Sequence, residues 1–468
     1  MSNKEKEKIT AILIGAGSRG REAYGNWGLK NKDKIDFVAV AEPREARRKA
    51  FSREWHIPRD NQFKDWQDLL NDDLGRISDT CLVCTPDQMH TKPALKALKL
   101  GYDVLLEKPM APSLKECKEL VKTAEEGGNQ LMICHVLRYT EMFSKVKNAI
   151  EEGLVGDIIN VSHSENVAYW HFGHSYVRGA YKKASESTPV VLAKTCHDLD
   201  IIYWLVGSPV KSIHSFGTLS HYRPENAPPG VPKRCTDGCP IHGECPWYAP
   251  RLYVNAEPLI RITQRSKKRF IRFMGQLILH HPKFIKILSH LIKPMKTLVN
   301  WDKFPATAIT DDLSPEGKME ALKEGPYGKC VYHSDNDVPD HQTVNILFEN
   351  GVTATMTMHG HSYLDGRWFR IDGTRGTLEG KFTYGGEKLV HHDHRYVKEA
   401  VLWERDMTFS AHGGGDERLM ESFVDSLLTG KQEALTSARA SLESHLMGFA
   451  AEHSRAKKIV IDLDEMRS

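Results

Sequence analysis

One stretch constrains this chain more than any other: Ile9 to Gly20, ITAILIGAGSRG, an apolar run that ends in Gly15-x-Gly17-x-x-Gly20. A short apolar run closed by glycine reads as a buried strand, and glycines at this spacing let a strand turn directly into a helix beneath a dinucleotide. Gly15 supplies the tight turn, Gly17 leaves room for a pyrophosphate to approach the backbone, and Gly20 lets the helix pack against its strand. A helix from about Ser18, with Arg19 in its first turn, would point unpaired amides and a positive dipole end at the phosphates.

The context supports this reading. A second apolar run, Asp36 to Ala41, ends at Glu42, about twenty residues past the last glycine, where an acid can accept the ribose hydroxyls of the adenosine. A carboxylate there repels a 2′-phosphate, which favours NAD over NADP, while Arg44 and Arg47 lie close enough to oppose that preference. Beyond Glu42, helical and strand patterns alternate, with strands expected at Thr80–Thr85, Tyr102–Leu106 and Gln130–His135 and helices between them. Such alternation specifies a parallel sheet covered on both faces. Ligands of such sheets bind at the carboxyl ends of the strands, where Thr85-Pro86, Glu107-Lys108-Pro109 and His135-x-x-Arg138 fall.

Four motifs, GAGSRG, CTPDQMH (Cys84 to His90), EKP (Glu107 to Pro109) and CHDLD (Cys196 to Asp200), resemble the glucose-fructose oxidoreductase / inositol dehydrogenase family. The resemblance spans residues 8 to about 220 and resumes near 338. It implies an α/β protein with an N-terminal Rossmann domain and a C-terminal α/β domain built on an open, mostly antiparallel sheet. It also implies oxidation or reduction of sugars, inositols or related polyols with NAD or NADP. The domains are then expected at 1–140, for the dinucleotide, and 141–468, for substrate binding and oligomerisation, the latter interrupted by an insertion at about 221–337. Cofactor contacts are expected from Gly15, Gly17, Ser18, Arg19, Gly20, Glu42, Thr85, Pro86, His90, Glu107, Lys108 and Arg138.

Hydride transfer from an alcohol carbon needs a base for the hydroxyl proton and a positive group near the oxygen. Lys108 and His197 stand where the family carries its active-site lysine and histidine. The chain departs from the family pattern four residues before His197, where an aspartate is common and Ala193 stands instead; Lys194, next to it, is a third candidate catalytic residue. Either Asp198 or Asp200 must then reach His197, or another group must set its tautomer. The aromatic and donor-rich run Tyr169 to Tyr181 has the composition of a carbohydrate pocket, so His174, Tyr176 and Arg178 join Lys108, Lys194 and His197 as expected substrate contacts.

A second cluster is Cys235-x3-Cys239-x5-Cys245. Three thiols broken by Gly and Pro could converge on a structural zinc, with Cys330 or His242 as the fourth ligand, or could be free buried cysteines or disulfides. From Pro258 to Trp301 there are ten Lys/Arg and no acid, so the remainder of the chain is net negative. Within that segment Phe284, Ile287, Leu288, Leu291 and Ile292 share one helical face, the pattern of a helix that packs on an acidic partner or subunit or lies on an anionic membrane surface.

The formal charge of +3 on 468 residues argues against a nucleic-acid partner. The polar start MSNKEKEK lacks a signal-type apolar stretch, no window reaches the roughly eighteen apolar residues of a membrane span, and an odd cysteine count fits a reducing compartment. The expectation is a cytoplasmic, homo-oligomeric NAD(P)-dependent carbohydrate dehydrogenase, with the open sheet face as the subunit interface. Two other readings compete with it: a glycosidase that keeps its NAD and works by transient oxidation, elimination and re-reduction, and a non-catalytic nucleotide-binding scaffold.

Overall fold

A computed structural model describes residues 7–281, 301, 303–407, 412–430 and 434–467. The apolar helical face from Phe284 to Ile292 in the basic segment lies outside the described residues. The first sheet comprises β1 (Ile9–Ile14), β2 (Ile35–Ala41), β3 (Gln62–Phe63), β4 (Thr80–Val83), β5 (Asp103–Leu106) and β6 (Leu131–Ile133). All its pairs are parallel, and the spatial order β3-β2-β1-β4-β5-β6 reverses direction between β1 and β4. This is the doubly wound arrangement, and the reversal opens a crevice at the carboxyl ends of those two strands.

The strands are continuous apolar runs because helices cover both faces; Ile12, Leu13, Leu82, Val83, Leu105 and Leu106 are all fully enclosed or nearly so. The crossover helices follow local rules. Leu114–Gly127 starts at Ser113, whose hydroxyl accepts from the Glu116 amide while donating to the Glu116 carboxylate, and it stops at Gly128 in the left-handed region.

The second sheet has nine strands: β7 (Ile158–Ala168), β8 (Val210–Thr218), β9 (His341–Phe348), β10 (Thr353–Ser362), β11 (Gly366–Gly373), β12 (Gly376–Thr383), β13 (Gly386–Asp393), β14 (Lys398–Arg405) and β15 (Ile461–Asp462). Their order is β14-β13-β12-β11-β7-β10-β9-β8-β15, and among the described residues β7 with β10 is the only parallel pair in this sheet. Burial alternates along β9 and β10, so one face packs on helices Glu141–Glu151 and Cys196–Val206 while the other is open. The fold is therefore the one expected: a Rossmann sheet followed by a mostly antiparallel α/β domain.

Two features bind the halves together. Helices Gly415–Thr429 and Ala438–Lys457 return to the parallel sheet, the first placing Leu419, Met420 and Phe423 in its core. The second contributes Ala438 to one core and Leu446, Met447 and Ala450 to the other. The segment between β8 and β9 folds into short helices around a core of its own, including Trp170, Ala249, Leu252, Tyr253, Ile278 and Leu322. Among the described residues no helix is long and apolar enough to cross a membrane.

Candidate active site

The glycine turn is shaped for a close-lying ligand. Gly15 has φ +92°, and a Cβ there would stand 2.6 Å from the Cys84 carbonyl oxygen, so only glycine fits between β1 and β4. At Gly17 a Cβ would meet only the Arg47 guanidinium, at 3.5 Å, leaving the outer face of the turn open. Ser18 opens a helical segment to Gly25 and lines the cleft beyond the turn. Gly20 packs against the Gly15 carbonyl. An open backbone turn at the topological switch point fits a dinucleotide pyrophosphate.

Glu42 is buried beside this turn, its carboxylate accepting the Ala16 and Arg44 amides at 2.9 Å each. It braces the glycine turn and retains lone pairs for a further donor.

A cleft of about 380 Å³ lies between the two sheets. Its first wall comes from loops of the parallel sheet: Arg19, Thr85, Asp87, Glu107 and Lys108. Arg19 donates to Glu107 (2.7 Å), to the Tyr24 hydroxyl (2.6 Å) and to Asp416 (2.6 Å). Burial would raise the Glu107 carboxyl, but Arg19 and the Tyr24 hydroxyl outweigh it and hold it below the usual carboxylate range. Nζ of Lys108 donates to the Ala193 carbonyl at 2.7 Å, which holds the ammonium in the cleft with further N–H groups to offer.

The second wall comes from the mixed sheet and its helices. It includes Glu165, His171, Tyr176, Lys194, His197, Arg367 and His412. Lys194 pairs with Glu165 at 3.0 Å, Glu165 with Arg367 at 2.9 Å, and Arg367 with Asp198 at 2.7 Å. Although burial opposes it, Arg367 and His163 hold Asp198 ionised, its pKa lowered to about 2. His197 is driven the other way: burial, then Lys108, His135 and His412, push its pKa well below 6.5, so it is a neutral imidazole at neutral pH. Its Nδ1 has no hydrogen-bond partner among the described residues.

The structure brings Lys108, Lys194, His197 and Tyr176 together as expected, with Ser18, Arg19, Thr85 and Glu107 on the facing wall. Other expected residues point elsewhere. His90 is enclosed, its two ring nitrogens 2.7 and 2.8 Å from the Pro109 and Thr85 carbonyl oxygens, so it ties the two loops together behind the cleft. Pro86 starts the short turn of that same loop. Arg138 is buried in a two-pronged bond to Asp200, 2.7 Å on each prong, and holds the halves of the molecule together. Neither Asp198 nor Asp200 turns to His197, since Arg367 and Arg138 engage them.

His174 and Arg178 face away from the cleft. His174 stacks on Tyr327 and lies 2.8 Å from the Tyr253 hydroxyl, whereas Arg178 donates to the carbonyls of Lys329 and Trp247, both at 2.7 Å. Along this helical stretch His171 and Ser175 share the cleft side, and His174 and Arg178 share the other.

The expected zinc site is also corrected. Cys235, Cys239, Cys245 and Cys330 line one small cavity, but among the described residues no three His, Cys, Asp or Glu side chains gather as a metal cage. The Arg178 guanidinium shares the cavity and donates to Cys235 Sγ at 3.5 Å, and burial keeps Cys245 and Cys330 protonated. A cation and neutral thiols make a poor zinc site. The ends of the insertion are joined instead by backbone pairing of Arg234 with Lys329.

Sequence reasoning gives no role to Glu165, Arg367 or Asp365, passes over His171 within the aromatic run, and reads His412-Gly-Gly-Gly-Asp416 only as a glycine segment ahead of a helix, one that closes over substrate or serves as a hinge. His412-Gly-Gly-Gly-Asp416 offered the one local signal, a histidine and a carboxylate four residues apart ahead of a helix.

Comparison with known proteins agrees with this geometry. The model of the oxidoreductase family, NAD-binding Rossmann fold, matches residues 9–135, and its companion, the oxidoreductase family C-terminal alpha/beta domain, matches residues 282–463. YteT of Bacillus subtilis (strain 168), named as an oxidoreductase, is 20% identical over 433 residues, covering 90% of this chain and 88% of that protein. The 2,7-anhydro-N-acetylneuraminate hydratase of Escherichia coli (strain K12) is 29% identical over 151 residues, which is 32% of this chain and 40% of the hydratase. Among solved structures, the WlbA dehydrogenase of Bordetella pertussis in complex with NADH and UDP-GlcNAcA superposes with a TM-score of 0.58 at 16% identity, covering 97% of this chain and 98% of that one. That likeness shows the fold.

Proposed function

This chain belongs to the glucose-fructose oxidoreductase / inositol dehydrogenase (GFO/IDH/MocA) oxidoreductase family, and from that premise we propose that it moves a hydride between a nicotinamide dinucleotide and a hydroxyl-bearing carbon of a sugar or sugar derivative. The observation that carries this reading is the convergence of Lys108 and His197 in a cleft beside the open glycine turn. NAD, when bound, supplies the hydride acceptor.

The residues of the chain handle the substrate oxygen. The Lys108 ammonium, steadied by the Ala193 carbonyl, binds the reacting hydroxyl and stabilises negative charge on it. His197, kept neutral, donates its ring N–H to the same oxygen. Tyr176 and Phe304 offer aromatic faces to a sugar ring, and the Lys194, Glu165 and Arg367 network offers polar contacts to its other hydroxyls. Glu42 favours NAD over NADP. The protein works in the cytoplasm, where its thiols stay reduced, and assembles through the open face of the nine-stranded sheet.

A second reading, the NAD-retaining glycosidase, draws support from Ala193 in place of a carboxylate and from the likeness to a hydratase. One experiment tests both. Absorbance at the NADH band is followed on the NAD-loaded protein across a panel of sugars, inositols and glycosides. Stoichiometric NADH supports the dehydrogenase. Aglycone release without net NADH supports the glycosidase. No response to any compound, with NAD bound, overturns both.

A further inference from the structure

The cleft holds a second histidine. His412 lines it beside His197, with the ring centroids 5.9 Å apart and the rings tilted 56°. The two differ in what stands behind them. Among the described residues His197 has no carboxylate partner, because position 193 is alanine and Asp198 and Asp200 are committed to arginines. His412 has one: its Nδ1 lies 3.0 Å from Asp416, one helical turn along the chain. Asp416 is fixed in its turn by Arg19, at 2.6 Å from the far side of the cleft. Its carboxyl is held well below the usual range, against burial, by His412 and Arg19.

A carboxylate at Nδ1 selects one tautomer: Nδ1–H donates to it, and the Nε2 lone pair is left to take a proton. The same carboxylate then stabilises the imidazolium. At His197, by contrast, burial and then Lys108 disfavour a proton on the ring.

We propose that His412, oriented by Asp416, is a further catalytic residue of this cleft and that its Nε2 receives the proton of the reacting hydroxyl. The inference rests on the dehydrogenase reading above. As the carbinol hydrogen departs with its electron pair, the O–H bond breaks, its electrons form the new C=O bond, and the proton passes to Nε2 of His412. Lys108 and His197 hold the oxygen. Asp416 remains ionised throughout. In this arrangement a segment near the C-terminal end of the chain replaces the carboxylate-assisted histidine that the motif around His197 lacks. The charged and titratable groups around His412 are Asp416 on its own segment, Arg19 on the glycine turn, His197 on its helix, and Glu387 with Arg405 on the mixed sheet; Arg405 also bonds the Gly413 carbonyl at 3.1 Å.

The test uses the full-length, NAD-loaded protein, with as probe whichever compounds of the panel reduce NAD. His412→Gln is expected to leave NAD affinity within about twofold, to cut turnover at least about a hundredfold, and to abolish the acidic limb of the pH–rate profile. Imidazole added to His412→Ala should restore part of the turnover, which a structural role would not allow. A readout independent of turnover is the tautomer of the His412 ring, read from the ring-nitrogen NMR shifts of histidine-labelled protein: the Nδ1–H form should dominate in the wild type and lose that dominance in Asp416→Asn. Normal turnover with an unchanged acidic limb in His412→Gln overturns the proposal while leaving the dehydrogenase reading in place, and so does a His412 tautomer indifferent to Asp416→Asn. A wild-type protein that binds NAD yet reduces it with no probe overturns that reading and this inference with it.

Discussion

The two walls of the cleft are equally polar but are assembled by different means. On the parallel-sheet side the residues arrive in chain order at successive strand ends, Arg19 after β1, Asp87 after β4 and Lys108 after β5, each on a short loop anchored by its strand. On the mixed-sheet side Glu165, Lys194, Arg367 and His412 come from segments up to about 250 residues apart; the first three are held by one another, and His412 is held by Asp416. Backbone places the first wall, where Arg19 and Glu107 are also paired, and charge alone joins Lys194, Glu165 and Arg367 on the second. That difference teaches where each wall should break: strand-end loops should tolerate the loss of a side chain and fail on backbone change, whereas the charge network should collapse when one member is removed.

The largest effect is expected from the network. Arg367→Ala leaves Glu165 and Asp198 buried beside no guanidinium, and removing one partner of a buried ion pair costs about 3–5 kcal/mol. Denaturant titration should show that loss. A value below about 1 kcal/mol would mean that water repairs the gap and that the second wall does not depend on its charges. Lys108→Ala, on the first wall, should instead leave the denaturation midpoint nearly unchanged while reducing turnover at least about a hundredfold, or about 2.7 kcal/mol, with NAD affinity retained.

Two glycine substitutions sharpen the backbone side. Gly15→Ala forces a side chain into the left-handed region and against Cys84, at about 1–3 kcal/mol, so thermal stability and NAD affinity should fall together. Gly17→Val meets only Arg47, so NAD affinity should fall with the melting temperature unchanged. Equal destabilisation by both would remove the distinction drawn between them.

Buried histidines tie the walls together as the pH falls. Burial lowers the pKa of His135 beyond the end of β6, of His174 and His197 in the second half of the molecule, and of His445, to about 3, on the helix shared by both cores. The unfolded chain takes up these protons near pH 6.5 and the native state does not, so stability is full above that pH and declines as the pH drops below it. Each group contributes at most about 1.4 kcal/mol per pH unit. Calorimetry from pH 7 to pH 5 should show one transition moving down. Two separating transitions would show that the halves unfold independently. The smallest effect is the cofactor preference: NAD should bind about tenfold or more tightly than NADP, and the reverse order would give control of that pocket to Arg44 or Arg47.

Much of this molecule was legible in its sequence because much of it obeys local rules. The glycine turn, the capped helix from Ser113 and the hairpins β9–β10 and β11–β12 follow from periodicity and turn chemistry within a few residues. Lys108 and His197 sit in short motifs for the same reason. His174 and Arg178 were assigned to the wrong side because composition carries no direction: in a helical stretch, a shift of one residue turns a side chain from the cleft to the insertion.

What the sequence alone determined is therefore the family of the chain, its two α/β units and the strand-end half of its site, all encoded in contiguous residues. The tertiary structure alone decided the other half. Glu165 meets Arg367 because β7 and β11 pair in one particular register, and His412 faces His197 because a helix that begins nearly four hundred residues after Arg19 packs its Asp416 against that arginine. Such contacts are set by how buried charges find partners in the folded core, a long-range condition that no local pattern records.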